Sequence, residues 1–202
     1  MIDLWAFLRK CKFGIYKMVM SPDPGPRSII CNNCLGGMVS HDFALQFCSP
    51  FVNIMIPANH YIEILKNLKD IRNWEFQDIT PEGNDYPIGL LNSLWEVHFI
   101  HYKTYDEAVE KWFLRLARMR TDELYLILVE TASCSINELF EFDKLPFKHK
   151  IAVTHKPYQS VRCAKYISGY DGKNLNGELF WRSNKWGGRL YDAIDWKRFL
   201  NL

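Results

Sequence analysis

The 202-residue sequence contains no run of about 18 apolar residues, so no segment of it reads as a membrane span. It is short of net charge as well. Its 25 basic and 23 acidic side chains leave +2, which gives no electrostatic footprint for a nucleic acid. No glycine-rich phosphate loop of the P-loop or dinucleotide type is present, because Gly36-Gly37 is too short for one. No Asp-x-Asp pair is available for a metal-dependent sugar-nucleotide site. Zinc lacks ligands too. Cys31 and Cys34 have CxxC spacing, but none of Cys48, Cys134 and Cys163 has a Cys or His close by to complete a set. Neither a bound metal nor a tightly bound cofactor is expected. There is no internal repeat and no low-complexity tract.

Cysteine itself is not scarce, with six in all. The apolar N-terminal stretch is broken by Arg9, Lys10, Lys12 and Lys17, so no secretory signal is read. The thiols are expected to be reduced and the protein cytoplasmic. Hydrophobic residues at 48% and aromatics at 15% suffice for a substantial core in one domain, on a scale of roughly 100–200 residues per domain. Residues 21–27, with three prolines and a glycine, read as a linker. The chain therefore divides into a basic N-terminal segment with its linker, 1–27, and a domain, 28–202. Residues 1–20 place Trp5, Phe7, Leu8 and Phe13 among basic residues. That composition suits either an amphipathic helix on an anionic membrane surface, at the inner face of the membrane, or a helix packed on the domain.

Beyond the linker, strand and helix patterns alternate. Ile29 to Cys31 reads as a short buried strand, 37–47 as a helix, Phe51 to Ile56 as a strand, and Asn59 to Leu68 as a helix after Pro57. Leu94 to Ile100 alternates, with Trp95, Val97 and Phe99 on one face and Glu96 and His98 on the other. Thr104 and Glu107 have capping-box spacing for a helix to about Arg120, and Ser135 and Glu138 repeat it for a helix to about Leu145. Leu124 to Val129 is a continuous apolar run of the kind found in central parallel strands, and Ile151 to Thr154 is a further strand. A polar, aromatic-rich excursion over 157–188 and a last helix over about 190–200 complete the chain. The expected fold is α/β: a mostly parallel sheet with helices on both faces, in three layers.

In such sheets the functional groups lie beyond the C-terminal ends of the strands. This singles out Asn32 to Gly37, His98 to His101, and Glu130 to Ser135. Cys34 sits where a nucleophile sits on a strand-to-helix turn, and a helix N-terminus favours the thiolate. Asn32, Asn33 and the backbone around Gly36 and Gly37 are the expected donors to a developing oxyanion. The alternative is that Cys34 is a small buried residue and the Asn pair caps the turn. His98 or His101 is the expected base, and strand alternation lets only one of them reach Cys34. Glu130 can orient a histidine or bind substrate. His155, after the late strand, is a rival base, as in lipase-like hydrolases of the Gly-Asp-Ser type.

The stretches SIICNNCLGG, CSPFVNIMI, YPIGLL, EVHFIHYKTYDEAVEKW, FDKLPFK and YDAIDWKRFLN run in order across residues 28–201. Together they resemble domain-of-unknown-function family 1919, found among capsule, exopolysaccharide and lipopolysaccharide biosynthesis proteins. Relatives usually carry Ser at the position of Cys31, which speaks against a dithiol role, and many carry Trp where this chain has Leu35. The resemblance implies an α/β fold and a setting in surface-polysaccharide assembly. The expected activity is acyl transfer to a hydroxyl of a saccharide or lipid-linked saccharide, with acetyl-coenzyme A as donor. Another sugar-modifying transferase, such as a glycosyltransferase, and a non-catalytic glycan-binding or assembly protein are the alternatives. For these, Tyr158, Tyr166, Tyr170, Phe180, Trp181 and Trp186 would supply stacking surfaces.

Overall fold

The computed structural model describes Cys11, residues 25–173, Leu179 and residues 188–202. The expected basic N-terminal helix, most of the linker, and Phe180, Trp181 and Trp186 lie outside the described residues. Among the described residues, no helix is long and apolar enough to cross a membrane.

The architecture is α/β. β1 (Ser28–Cys31), β5 (Leu124–Val129), β6 (His149–Thr154) and β7 (Ala164–Tyr166) form a parallel sheet in the order β1-β5-β6-β7. Every residue of β5 is buried, because the strand has a neighbour on each side and a layer on each face. Leu124, Leu126 and Leu128 pack on one face with α2 (Ala58–Lys66) and α4 (Ile136–Lys144), and α3 (Tyr105–Leu116) also packs into this core. Tyr125, Ile127 and Val129 pack on the other face with α1 (Leu35–Asp42) and α5 (Trp196–Leu200). The local stop and start signals act as expected. Thr104 accepts from the Glu107 amide at 3.2 Å, and Ser135 and Glu138 close a reciprocal capping box.

Three elements depart from the sequence reading. The strand expected over Leu94 to Ile100 is β4 (Trp95–His98), and it is antiparallel. With β2 (Phe76–Asp78) and β3 (Ile88–Leu91) it makes a separate three-stranded meander. Asn92 and Ser93 both take positive φ (52° and 57°) within the three-residue turn 92–94 that joins β3 to β4. The expected strand Phe51 to Ile56 reduces to one bridge, Met55 to His98. Asn53 adopts φ 62°, which breaks the extended run. The helix expected over 37–47 starts earlier, at Leu35, and takes both glycines into its first turn. Helix α1 lies so close to β1 that a Cβ at Gly36 would meet the Cys31 Cβ at 2.8 Å. Within the aromatic-rich excursion, Ala164–Tyr166 adds the edge strand β7.

The two sheets are tied at the end of β1. The Ile56 amide donates to the Asn32 carbonyl at 2.8 Å, and the adjacent Met55 exchanges both backbone hydrogen bonds with His98. A ladder thus runs from β4 through 55–56 to the edge of the parallel sheet.

Candidate functional site

The C-terminal edge of the parallel sheet begins where β1 ends and is continued by a side chain. Asn32 is 2% exposed. Its Nδ2 donates to the Val129 carbonyl at 3.0 Å, and its Oδ1 accepts from the Val129 amide at 2.8 Å. The amide side chain thereby reproduces one step of a strand ladder after the backbone of β1 has turned away. Its Oδ1 and one Nδ2 proton are committed to this step, which gives Asn32 a structural role beside the oxyanion role expected of it. Asn33 Oδ1 accepts from the Leu35 amide at 2.9 Å and from the Cys31 thiol at 3.3 Å, which caps the turn into α1. Its Nδ2 has no partner among the described residues and is not sealed from solvent.

Cys34 is half-buried and its thiol points to the Ile54 carbonyl, 3.9 Å away. Burial pushes this thiol up to about 11. The expected depression by the helix N-terminus is therefore outweighed, and Cys34 is not a ready thiolate. Cys31, fully buried, is pushed up to about 12 by burial. Gly36 and Gly37 serve close packing of α1, Gly36 against Cys31 and Gly37 against Val52.

The two expected bases diverge. His98 Nε2 faces a Glu96 oxygen at 3.4 Å, its Nδ1 is buried without a partner, and burial lowers its pKa despite the Glu96 carboxylate. His101 is exposed at the end of the turn after β4. No hydrogen bond or ion pair joins either imidazole to Cys34 among the described residues.

A third histidine is in place instead. Glu130 directly follows β5 and His155 directly follows β6, and the register sets Val129 beside Val153, so both side chains emerge at the same edge. Glu130 is 1% exposed. Its Oε2 accepts from the His155 backbone amide at 2.9 Å and lies 2.7 Å from His155 Nδ1, while its Oε1 accepts from the Tyr158 hydroxyl at 2.6 Å. The Tyr170 hydroxyl donates to the Glu130 carbonyl. A carboxylate that already accepts from two other donors sets the His155 tautomer: Nδ1 carries the proton and Nε2 presents a lone pair. Nε2 has no partner among the described residues, and the side chain is 24% exposed. Gly172, at φ 70°, presses on the ring, since a Cβ there would lie 2.7 Å from His155 Nδ1. Burial raises the Tyr158 hydroxyl to about 12, with Glu130 adding to the shift, so it stays a donor. Cys134, beside the same carboxylate, is pushed up to about 12 by burial and by Glu138 and Glu130.

Of the residues singled out in the sequence, the structure brings Glu130 and His155 into one dyad. It makes Asn32 a strut and Asn33 a cap whose Nδ2 is unpartnered among the described residues, and leaves His98 and His101 elsewhere. Tyr158 and Tyr170, read as stacking surfaces, act here through their hydroxyls. The one signal for the dyad was that a Glu and a His each follow the last residue of a strand.

A family model described as a domain of unknown function (DUF1919) matches residues 21–201. An "Uncharacterized protein" of Haemophilus influenzae (strain ATCC 51907 / DSM 11121 / KW20 / Rd) is 35% identical over 174 residues, which cover 86% of this chain and 84% of that protein.

Proposed function

The chain belongs to the DUF1919 family, and on the chemistry of its sheet edge we propose that it transfers an acyl group to a saccharide hydroxyl in surface-polysaccharide assembly. The observation that carries the reading is the buried Glu130 carboxylate holding His155 Nδ1 at 2.7 Å, with Nε2 left open. This is the arrangement of a general base whose tautomer and ring plane are preset. The choice of acceptor rests on the likeness to capsule, exopolysaccharide and lipopolysaccharide proteins noted in the sequence.

The step is direct transfer. His155 Nε2 takes the proton of the acceptor hydroxyl as its oxygen attacks the carbonyl carbon of acetyl-coenzyme A. The C–O bond forms and the carbonyl becomes an oxyanion, for which Asn33 Nδ2, unpartnered among the described residues, is a donor at this edge. Collapse breaks the C–S bond, and the coenzyme A thiolate recovers the proton from the imidazolium. A covalent route through Cys34 is disfavoured by a thiol pushed up to about 11. A lipid-linked acceptor would bring the protein to the inner face of the membrane, where the basic residues 1–20 suit an anionic surface.

The test is thiol release from acetyl-coenzyme A with a panel of nucleotide sugars and lipid-linked saccharides, and mass spectrometry of the acceptor. His155→Ala is expected to lower the rate by about 10²–10⁴, while Cys34→Ser keeps most of it. Full activity in His155→Ala would overturn the proposal.

A further inference from the structure

A second site lies at the opposite end of β6. A groove of about 320 Å³ is bounded by the residues entering β6, the edge strand β7 and helix α5. Lys148, Lys165 and Arg198 line it, and none of the three is in an ion pair among the described residues. Lys165 stands beside Val153 in the register, on the face that α5 covers. Lys150 also borders the groove, but its ammonium is spent on the Asp143 and Leu145 carbonyls at the end of α4. The acidic side chain at the rim, Asp195, already accepts from the Arg198 amide at 3.0 Å as the N-cap of α5. Three free cations against this one carboxylate leave +2 for a ligand to offset, and Lys150 adds its charge behind them. The floor is apolar, made of Ile151, Ile194 and Phe199.

We infer that this groove binds a phosphate monoester, with the phosphate among Lys148, Lys165 and Arg198 and the organic part on Ile151, Ile194 and Phe199. A monoester carries about −1.5 to −2 at neutral pH, which matches the groove's excess. Arg198 supplies planar, bidentate recognition and the lysines point charges. A carboxylate ligand carries one charge too few, and a neutral sugar none. Neither His155 nor Glu130, Tyr158 or Asn33 lines the groove, so it does not depend on the transferase reading.

The experiment is calorimetric titration of the full chain at low salt with inorganic phosphate, glucose 6-phosphate and UMP, and co-sedimentation with vesicles of phosphatidylcholine containing phosphatidate or phosphatidylglycerol. Binding of a monoester is expected, weakened about tenfold or more in Lys165→Glu/Arg198→Glu and unchanged in Lys69→Glu. All three substituted side chains are exposed, and circular dichroism checks that the variants fold. The tightest soluble probe identifies a sugar or nucleotide source, and selective sedimentation with phosphatidate identifies a lipid headgroup. The inference is overturned if no monoester binds, if the double variant binds as well as the parent, or if the diester phosphatidylglycerol serves as well as phosphatidate.

Discussion

Replacing Asn32 by alanine strips two backbone groups of their partners at once. The Val129 amide and carbonyl face the side where β1 has already ended, and the Asn32 amide meets both, at 2.8 and 3.0 Å. With Asn32 2% exposed, water has little access to replace it. A buried group left unsatisfied costs about 1–3 kcal/mol, so the pair gives a loss of about 2–6 kcal/mol. That is a large share of the roughly 5–15 kcal/mol available to a domain, and it corresponds to a fall in Tm of about 4–24 °C at this chain length. Urea unfolding followed by circular dichroism measures the loss, with an unchanged slope showing that only stability moved. Asn32→Asp sharpens the test. Its carboxylate keeps the acceptor for the Val129 amide but opposes the Val129 carbonyl with a second oxygen. Protonation restores a donor, so the folded-state pKa lies above the unfolded one. The deficit should be smallest near pH 4 and grow as pH rises through the folded value. A loss below about 0.5 kcal/mol in Asn32→Ala, the scatter of ordinary surface substitutions, would refute the strut and return Asn32 to the pool of ligand-binding residues.

Burial lowers the pKa of His98, so the folded state resists a proton that the unfolded state accepts. Stability from this residue is present above the ordinary imidazole value and drains away as pH falls through the folded one. His98→Gln should therefore flatten the decline in urea midpoint between pH 7.5 and pH 5.5, and an unaltered decline would count against it. Gly172→Ala should displace the His155 ring, because its Cβ would lie 2.7 Å from Nδ1 at φ 70°. The expected cost is about 1–3 kcal/mol, with an altered Nδ1–H signal in proton NMR; an unmoved signal would mean that the ring is held by Glu130 alone. Iodoacetamide should modify native Cys34 slowly at neutral pH, with a midpoint above the ordinary thiol value, as befits a thiol near 11. Rapid labelling at pH 7 would show an activated sulfur and reopen the covalent route.

The parts of this fold legible in the sequence are those whose causes are local. Ser135 and Glu138 start α4 by a contact between neighbours, and β5 announces its central place by a continuous apolar run, Leu124 to Val129. The β3–β4 hairpin was hidden because Asn92-Ser93 reaches positive φ without the glycine that usually marks such a turn. Asn32 illustrates a different limit. A strand-end amide can bind a ligand or finish a ladder, and only the position of Val129, 97 residues on, decides which. The Glu130–His155 dyad likewise depends on the pairing of β5 with β6, a fact of register that no window of sequence contains.

The pairing of Ser28 with Leu124 has a consequence for how the chain is made. While a nascent chain emerges, β1 has no strand to join until β5 has followed it, a wait of roughly 5–20 s at ordinary synthesis rates. Throughout that interval the apolar stretch Ser28–Cys31 stands unshielded, whereas the β2–β3–β4 meander closes on itself as soon as it appears. Pulse-labelled hydrogen exchange during refolding should thus protect β3 and β4 before β1. The first strand of the domain is the one that a chaperone would have longest to hold.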